Sequence, residues 1–298
     1  MTDNLRGILA ILASATGFVI NDALVKLATQ HLPSGQIIVL RGLMSTVMLA
    51  IAAAHLGSMR SPRVLLQPAM LIRLFASASA TVCIVGALRH LPLPTTSAIL
   101  QVTPLVVTAG AAILLGAHVG WRRWTASIVG FCGVLLILRP GGEGFVVEAW
   151  LAVLALFFTS TRDLTTRFID HSVPSLFVAA ATSGVITLVG ATMLPFETWV
   201  PLTRHTFALL AGAAIAVNFA YYLGIVAMRT GEIPVVAPFR YALILLALLL
   251  GYLVWGHVPD QTSMLGMAVV TGAGLYLLHR ERRSIRAGRT GSAAEKAT

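Results

Sequence analysis

The chain has 298 residues, 57% of them hydrophobic and only 11% charged, with a net charge of +10 and a mean hydropathy of +0.86. A soluble chain carries roughly 25% charged residues, so this composition excludes a globule with a water-facing surface. Its arginines gather at run ends and in one tail rather than in a stripe interleaved with aromatics, which excludes a nucleic-acid-binding face.

The apolar runs predict ten membrane-spanning helices, in chain order 5–28, 35–56, 70–89, 95–116, 122–138, 148–168, 174–194, 205–228, 234–255 and 262–279. The first, beginning at Leu5, is longer than a signal-peptide core and reads as a retained helix. Turn residues separate the runs: His31 to Gly35, Leu91 to Pro94, Pro140 to Gly142, Val173-Pro174, Pro195, Thr230-Gly231 and Pro259-Asp260. Runs of this length without alternation exclude a β-barrel, so the expected fold class is all-α integral membrane. With the N-terminus in the cytoplasm, fourteen Lys and Arg residues fall at inner ends and loops and four (Lys26, Arg89, Arg139, Arg204) at outer ones. The positive-inside rule therefore predicts a bacterial inner-membrane protein with both termini cytoplasmic. From Arg280 the chain turns basic and rich in Gly, Ala and Ser, which reads as a tail at the lipid surface.

The sequence repeats weakly at a spacing near 141. Asp22 matches Asp163, Lys26 matches Arg167, Pro33 matches Pro174, Gly133 matches Gly274 and Arg139 matches Arg280; Arg89 and Arg229, and Pro94 and Pro234, stand 140 apart. This divides the chain into residues 1–140, residues 146–283 and a tail over 284–298. Five spans per half is an odd number, so the halves must cross the bilayer with opposite polarity: two inverted repeats around a central cavity.

Ionisable residues inside a span cost about 2.5–3.5 kcal/mol each on insertion scales and mark functional positions. In the outer half these are Asp22, Lys26 and Arg41; in the inner half, Arg162, Asp163 and Arg240. Asp22 can pair with Lys26 one turn on, or with Arg41, so Asp22, Lys26, Arg41, Arg162 and Asp163 are the expected gates. Ser79, Gln101, Asn218, Tyr221, Tyr222, Arg240 and Tyr241 are the expected substrate contacts. Tyrosine offers an apolar face with a polar tip, and Arg240 offers a fork for a carboxylate. Pro104 frees a backbone carbonyl and is expected to bend span 4. No metal site is expected, because no His pair or embedded carboxylate pair has ligand spacing. Cys83 and Cys132 form no disulfide framework.

Ala87-Leu88-Arg89-His90-Leu91-Pro92, Gln101-Val102-Thr103-Pro104, Leu115-Gly116 and Gly130-Phe131-Cys132-Gly133-Val134-Leu135, echoed by Ala227-Met228-Arg229-Thr230 and Gly272-Ala273-Gly274, resemble the EamA module of the drug/metabolite transporter superfamily. The resemblance is nearest to its bacterial amino-acid exporters, including aromatic amino-acid exporters. One departure stands out: Ala117 occupies the place of the family's Leu-Gly-Glu glutamate, and Trp255-Gly256-His257 also lacks it. The resemblance implies a cavity lined by helices 3, 4, 8 and 9, framed by helices 1, 2, 6 and 7, with helices 5 and 10 peripheral. It implies a secondary transporter exporting amino acids or related small metabolites, not an enzyme, with no cofactor. The expected partners are a small-molecule substrate and the lipid bilayer, with no nucleic acid, and the expected state is a monomer or weak dimer. A multidrug or cation exporter is the alternative within transport; a polytopic membrane enzyme would want clustered acids or His at one interface, which the sequence does not offer, and a receptor or scaffold would lack a reason for the repeat.

Overall fold

In the computed structural model, which describes residues 3–58, 60–115, 121–139, 147–166, 168–170, 172–230 and 237–295, the described chain is helical and contains no strand. The helices are α1 (Asp3–Ala28), α2 (Ser34–His55), α3 (Pro68–His90), α4 (Leu93–Leu100), α5 (Thr103–Leu115), α6 (Trp121–Leu138), α7 (Ala149–Thr166), α8 (Ser175–Met193), α9 (Arg204–Thr230), α10 (Ala242–Trp255) and α11 (Gln261–Glu295). Six stretches among the described residues are long and apolar enough to cross a membrane, and Trp124–Leu138 and Phe239–Trp255 are shorter apolar helices. The chain is thus a multi-pass, all-helical membrane protein, as the runs predict.

Prolines set the helix starts. Pro33 and Pro174 stand in extended conformation immediately before α2 and α8, and Pro92 stands before α4; each fixes φ where no intrahelical N–H is needed. At the end of α10, Gly256 takes φ 65°; its N–H donates to the Tyr252 carbonyl and the His257 N–H to the Gly251 carbonyl, a left-handed cap that suits glycine.

Two expected spans are broken. Span 4 is α4 and α5, separated by Gln101-Val102. Pro104 has no N–H to give the Leu100 carbonyl, and Thr103 Oγ1 donates to that carbonyl at 2.5 Å instead. Span 9 opens with a 3-10 turn over Ala237–Tyr241 before α10 begins. Gln101 Nε2 donates to the Arg240 carbonyl at 2.9 Å, so the two breaks are stitched together. The last helix runs on to Glu295 rather than stopping at 279. The sequence there loses its apolar character but contains no proline, and helical backbone outlasts the lipid-compatible segment.

The packing carries the repeat. Ser183 Oγ donates to the Gly42 carbonyl at 3.2 Å, and the hydroxyls of Thr46 and Thr187 meet at 3.4 Å; both pairs are 141 residues apart. A residue that touches its own repeat mate lies on the axis relating the halves. About that axis α2 and α8 run antiparallel, with Gly35 against Met193, Gly190 against Ile38 and Val39, and Gly42 against Thr187. Likewise α6 and α11 pass antiparallel through Gly133, Gly266 and Val270, with Gly130 against Ala273. Helix α1 packs on α9, where Ser14 Oγ donates to the Ala220 carbonyl at 2.7 Å, and α3 packs on α7, where Phe75 and Phe158 meet edge-on at 6.1 Å. These last two pairings are images of each other under the repeat. Small residues at the contacts let helix backbones approach closely, the usual means of association in lipid.

Two large apolar clusters hold the bundle. One is centred on Leu105, Val134, Leu156 and Val270, the other on Val19, Ile37, Leu88 and Leu210. Leu43, Val47, Ile51, Leu188, Ile215, Leu245 and Leu249 are exposed, which suits a surface facing lipid rather than water. The junction expected between the halves at 140–146, and Arg167 and Pro234 of the repeat pairs, lie outside the described residues.

Candidate functional site

Side chains from five helices converge on one polar centre inside the bundle. From α1, Asn21 Nδ2 donates to Asp22 Oδ1 at 2.8 Å. From α2, Arg41 donates through a terminal nitrogen to Asn21 Oδ1 at 3.1 Å. Arg41 and Asp22 are therefore relayed through Asn21, and they remain within electrostatic reach of each other. From α7, Arg162 donates to Asp163 Oδ1 through Nε and a terminal nitrogen, each at 2.8 Å. From α3, Arg73 donates to the Thr166 hydroxyl and lies within electrostatic reach of Arg162 and Asp163. From α9, Tyr221 lies within electrostatic reach of all three arginines, and its ring meets Phe18 edge-on at 5.1 Å. One polar centre thus holds three guanidiniums, two carboxylates, a phenol and a phenyl ring. Asn218, one turn before Tyr221, accepts from Ser45 Oγ at 2.6 Å and closes the centre on the α2 side.

The remaining expected residues lie elsewhere. Lys26 turns away from Asp22. Its ammonium donates to the carbonyls of Leu88 and Leu91 at 2.8 and 2.6 Å and sits 5.8 Å over the Trp255 ring. It caps the C-terminal end of α3, where a helix presents unpaired carbonyls and negative dipole charge, so the expected Asp22–Lys26 pair does not form. Arg240 is exposed and lends its backbone carbonyl to Gln101; no contact joins it to Arg162 or Asp163 among the described residues. Tyr241 is buried in the cluster of α6 and α11, its hydroxyl seated at Gly274. Tyr222 is 65% exposed, one residue and so about 100° round the helix from Tyr221. Ser79 is half-buried on α3.

Asn21 and Arg73 escape the sequence reading. A signal for Asn21 existed: at the repeat spacing it faces Arg162, so that Asn21-Asp22 and Arg162-Asp163 are equivalent dyads. Arg73 counts as a loop-end cation when span 3 is begun at residue 70; α3 begins at Pro68, which draws Arg73 into the second turn of the helix.

Polar bonds close the end of the bundle that the charge count assigns to the outside. Gln36 and Val200 bond reciprocally, Nε2 to the carbonyl at 2.7 Å and N–H to Oε1 at 3.0 Å. The Gly35 N–H donates to both Glu197 carboxylate oxygens at 2.8 and 3.1 Å. Above them opens a cleft of about 350 Å³, lined by Thr29, His31, Pro33, Arg89 and Glu197 among others.

Comparison with known proteins agrees with this architecture. Residues 5–139 match the EamA-like transporter family. The chain is 27% identical over 287 residues to a riboflavin transporter of Vibrio cholerae, covering 95% of this chain and 96% of that one. It is 28% identical over 280 residues to the pseudopaline exporter CntI of Pseudomonas aeruginosa, covering 91% and 94%. It is 24% identical over 197 residues to an S-adenosylmethionine uptake transporter of Rickettsia bellii, covering 65% of this chain and 66% of that relative's length. A crystal structure 20% identical in sequence superposes with a TM-score of 0.64 over 93% of this chain and 97% of its own, a likeness of fold. The module over residues 5–139 is thus similar to the EamA-like transporter family, and the matched relatives are transporters rather than enzymes.

Proposed function

We propose that the protein exports amino acids or related small metabolites across the bacterial inner membrane by alternating access, with both termini cytoplasmic. The observation that supports this most is the polar centre itself. Charges of both signs, drawn from both halves, face one another inside an otherwise apolar bundle, where each would be costly without a solute to serve. The inverted packing supplies the second requirement, a site at the repeat interface about which one half can move against the other. A cation exporter would need acidic excess at the site, and here guanidiniums outnumber carboxylates. The solutes in the relatives' names differ among themselves and in direction, so the amino-acid reading rests on the site's paired charges and on the sequence resemblance.

The test is counterflow in proteoliposomes loaded with a panel of unlabelled amino acids, followed by uptake of labelled ones, with riboflavin and a lipophilic dye cation alongside. Accumulation of one or more amino acids above protein-free vesicles is the expected result. Accumulation of the dye cation alone would reverse the reading.

A further inference from the structure

We propose that Arg41, Arg73 and Arg162, grouped about Tyr221, form a carboxylate-binding site, and that the transported solute is an acid or zwitterion with an aromatic or similarly apolar body. The inference rests on the transport reading and assigns the recognition of the solute's charged end. It differs from the sequence expectation, which gave that role to Arg240.

The charges at the centre do not cancel. Three guanidiniums face two carboxylates, and Asp22 and Asp163 are already engaged by Asn21 and Arg162. An unbalanced cation inside a bundle is expensive, and a bound carboxylate would balance it. Donors are available for such an anion. Arg41 donates to Asn21, Arg73 to Thr166 and Arg162 to Asp163, and the guanidinium fork leaves each with N–H groups unspent. The Nε atoms of Arg41 and Arg73 are buried with no hydrogen-bond partner among the described residues. Two guanidiniums within electrostatic reach of each other, as Arg73 and Arg162 are, repel and gain from an anion between them. A carboxylate is planar and suits the fork in bidentate fashion. The centre is reachable, since the side chains of Arg162 and Asp163 are 20% and 32% exposed and Tyr221 is 44% exposed. Beside the charges stands the Phe18–Tyr221 edge-on pair, a surface for a ring or chain next to the anionic end.

The test uses three labelled solutes that share a phenyl ring and differ at the charged end: phenylalanine, 3-phenylpropionate and phenethylamine. In counterflow, phenylalanine and 3-phenylpropionate are expected to exchange and phenethylamine is not. Arg73→Gln and Arg162→Gln should each raise the half-saturation concentration of both carboxylates by roughly ten- to hundredfold, the loss of a charge-assisted contact. Arg73→Lys, which keeps the charge without the fork, should recover part of that loss and stands in if Arg73→Gln fails to fold. Arg63→Gln, in the exposed turn ahead of α3, should change nothing. Exchange of phenethylamine as fast as phenylalanine, or unchanged half-saturation in both glutamine variants, overturns the carboxylate site and leaves transport standing. If none of the three exchanges, the aromatic solute falls, and the amino-acid panel decides the transport reading. The site is then decided by tryptophan-fluorescence titration with 3-phenylpropionate: saturable quenching weakened at least tenfold in Arg162→Gln retains it, and no saturable quenching, or quenching unchanged in that variant, removes it.

Discussion

At the scale of residues, the structure separates two jobs that one helix turn seemed to join. Asp22 and Lys26 are four apart, a spacing that pairs charges in water-exposed helices. In the bundle the stronger demand is the uncapped end of α3, where the carbonyls of Leu88 and Leu91 have no water to accept from, and Lys26 answers it. Lys26→Met should therefore act on stability, costing about 2–3 kcal/mol for two charge-assisted bonds, seen as a lowered Tm in detergent. Half-saturation of the substrate should stay within twofold of the parent. Lost exchange at an unchanged Tm would return Lys26 to the gate. Asn21 has the opposite character: Asn21→Leu removes the link between Arg41 and Asp22 and should cut exchange by about tenfold or more, again read in counterflow. The charges were legible one by one in the sequence, but their partners were not. Partnership depends on which carbonyls the neighbouring helix leaves unpaired, and that is a property of the packing.

At the scale of elements, the span boundaries follow the apolar runs to within a few residues, because lipid and the backbone impose the same limits there. The breaks follow a different rule. Pro104 announces the interruption of span 4, whereas the remedy, a hydroxyl from the preceding residue, is visible only in the structure. Gln101, expected to contact the substrate, and Thr103 both serve the break: Thr103 takes the orphaned Leu100 carbonyl, and Gln101 takes the Arg240 carbonyl from the broken span 9. Thr103→Val should leave the Leu100 carbonyl bare at a cost of about 1–3 kcal/mol, lowering Tm, with solute selectivity across the phenyl panel unchanged. A changed selectivity would place Thr103 against the solute. Helix α11 shows the converse limit: the sequence ends a span where charge begins, yet no proline interrupts Arg280 to Glu295, and the backbone continues.

For the whole molecule, the fold is two-fold but the side-chain bonds of Gln36 and Glu197 are not copied at their repeat positions. The repeat was legible in the Asp22/Asp163 and Gly133/Gly274 matches, and the axis shows itself where Thr46 meets Thr187. At the end that the charge count assigns to the outside, Gln36 bonds Val200 and Glu197 bonds Gly35. At the repeat spacing, Gln36 corresponds to Phe177 and Glu197 to Leu56, neither of which can donate or accept a side-chain hydrogen bond. The bonds of Gln36 and Glu197 are therefore not repeated by Phe177 and Leu56, and Leu56 is 73% exposed. Under the proposed alternating access, the bonds of Gln36 and Glu197 favour the state closed at their end. The four bonds, at about 0.5–1.5 kcal/mol each, supply a bias of roughly 3 kcal/mol, about a hundredfold in population. The bias can be read in right-side-out vesicles, with Cys83 and Cys132 replaced by Ala and a single cysteine introduced at Phe18, beside Tyr221. A membrane-impermeant maleimide should label that cysteine slowly in the parent and at least tenfold faster once Gln36→Leu and Glu197→Gln are added. Fast labelling in the parent would mean that the outer end is open with these bonds intact. Slow labelling in the variant would shift the closure to the apolar contacts of Gly35 and Gly190 with α8 and α2, which the substitutions leave in place.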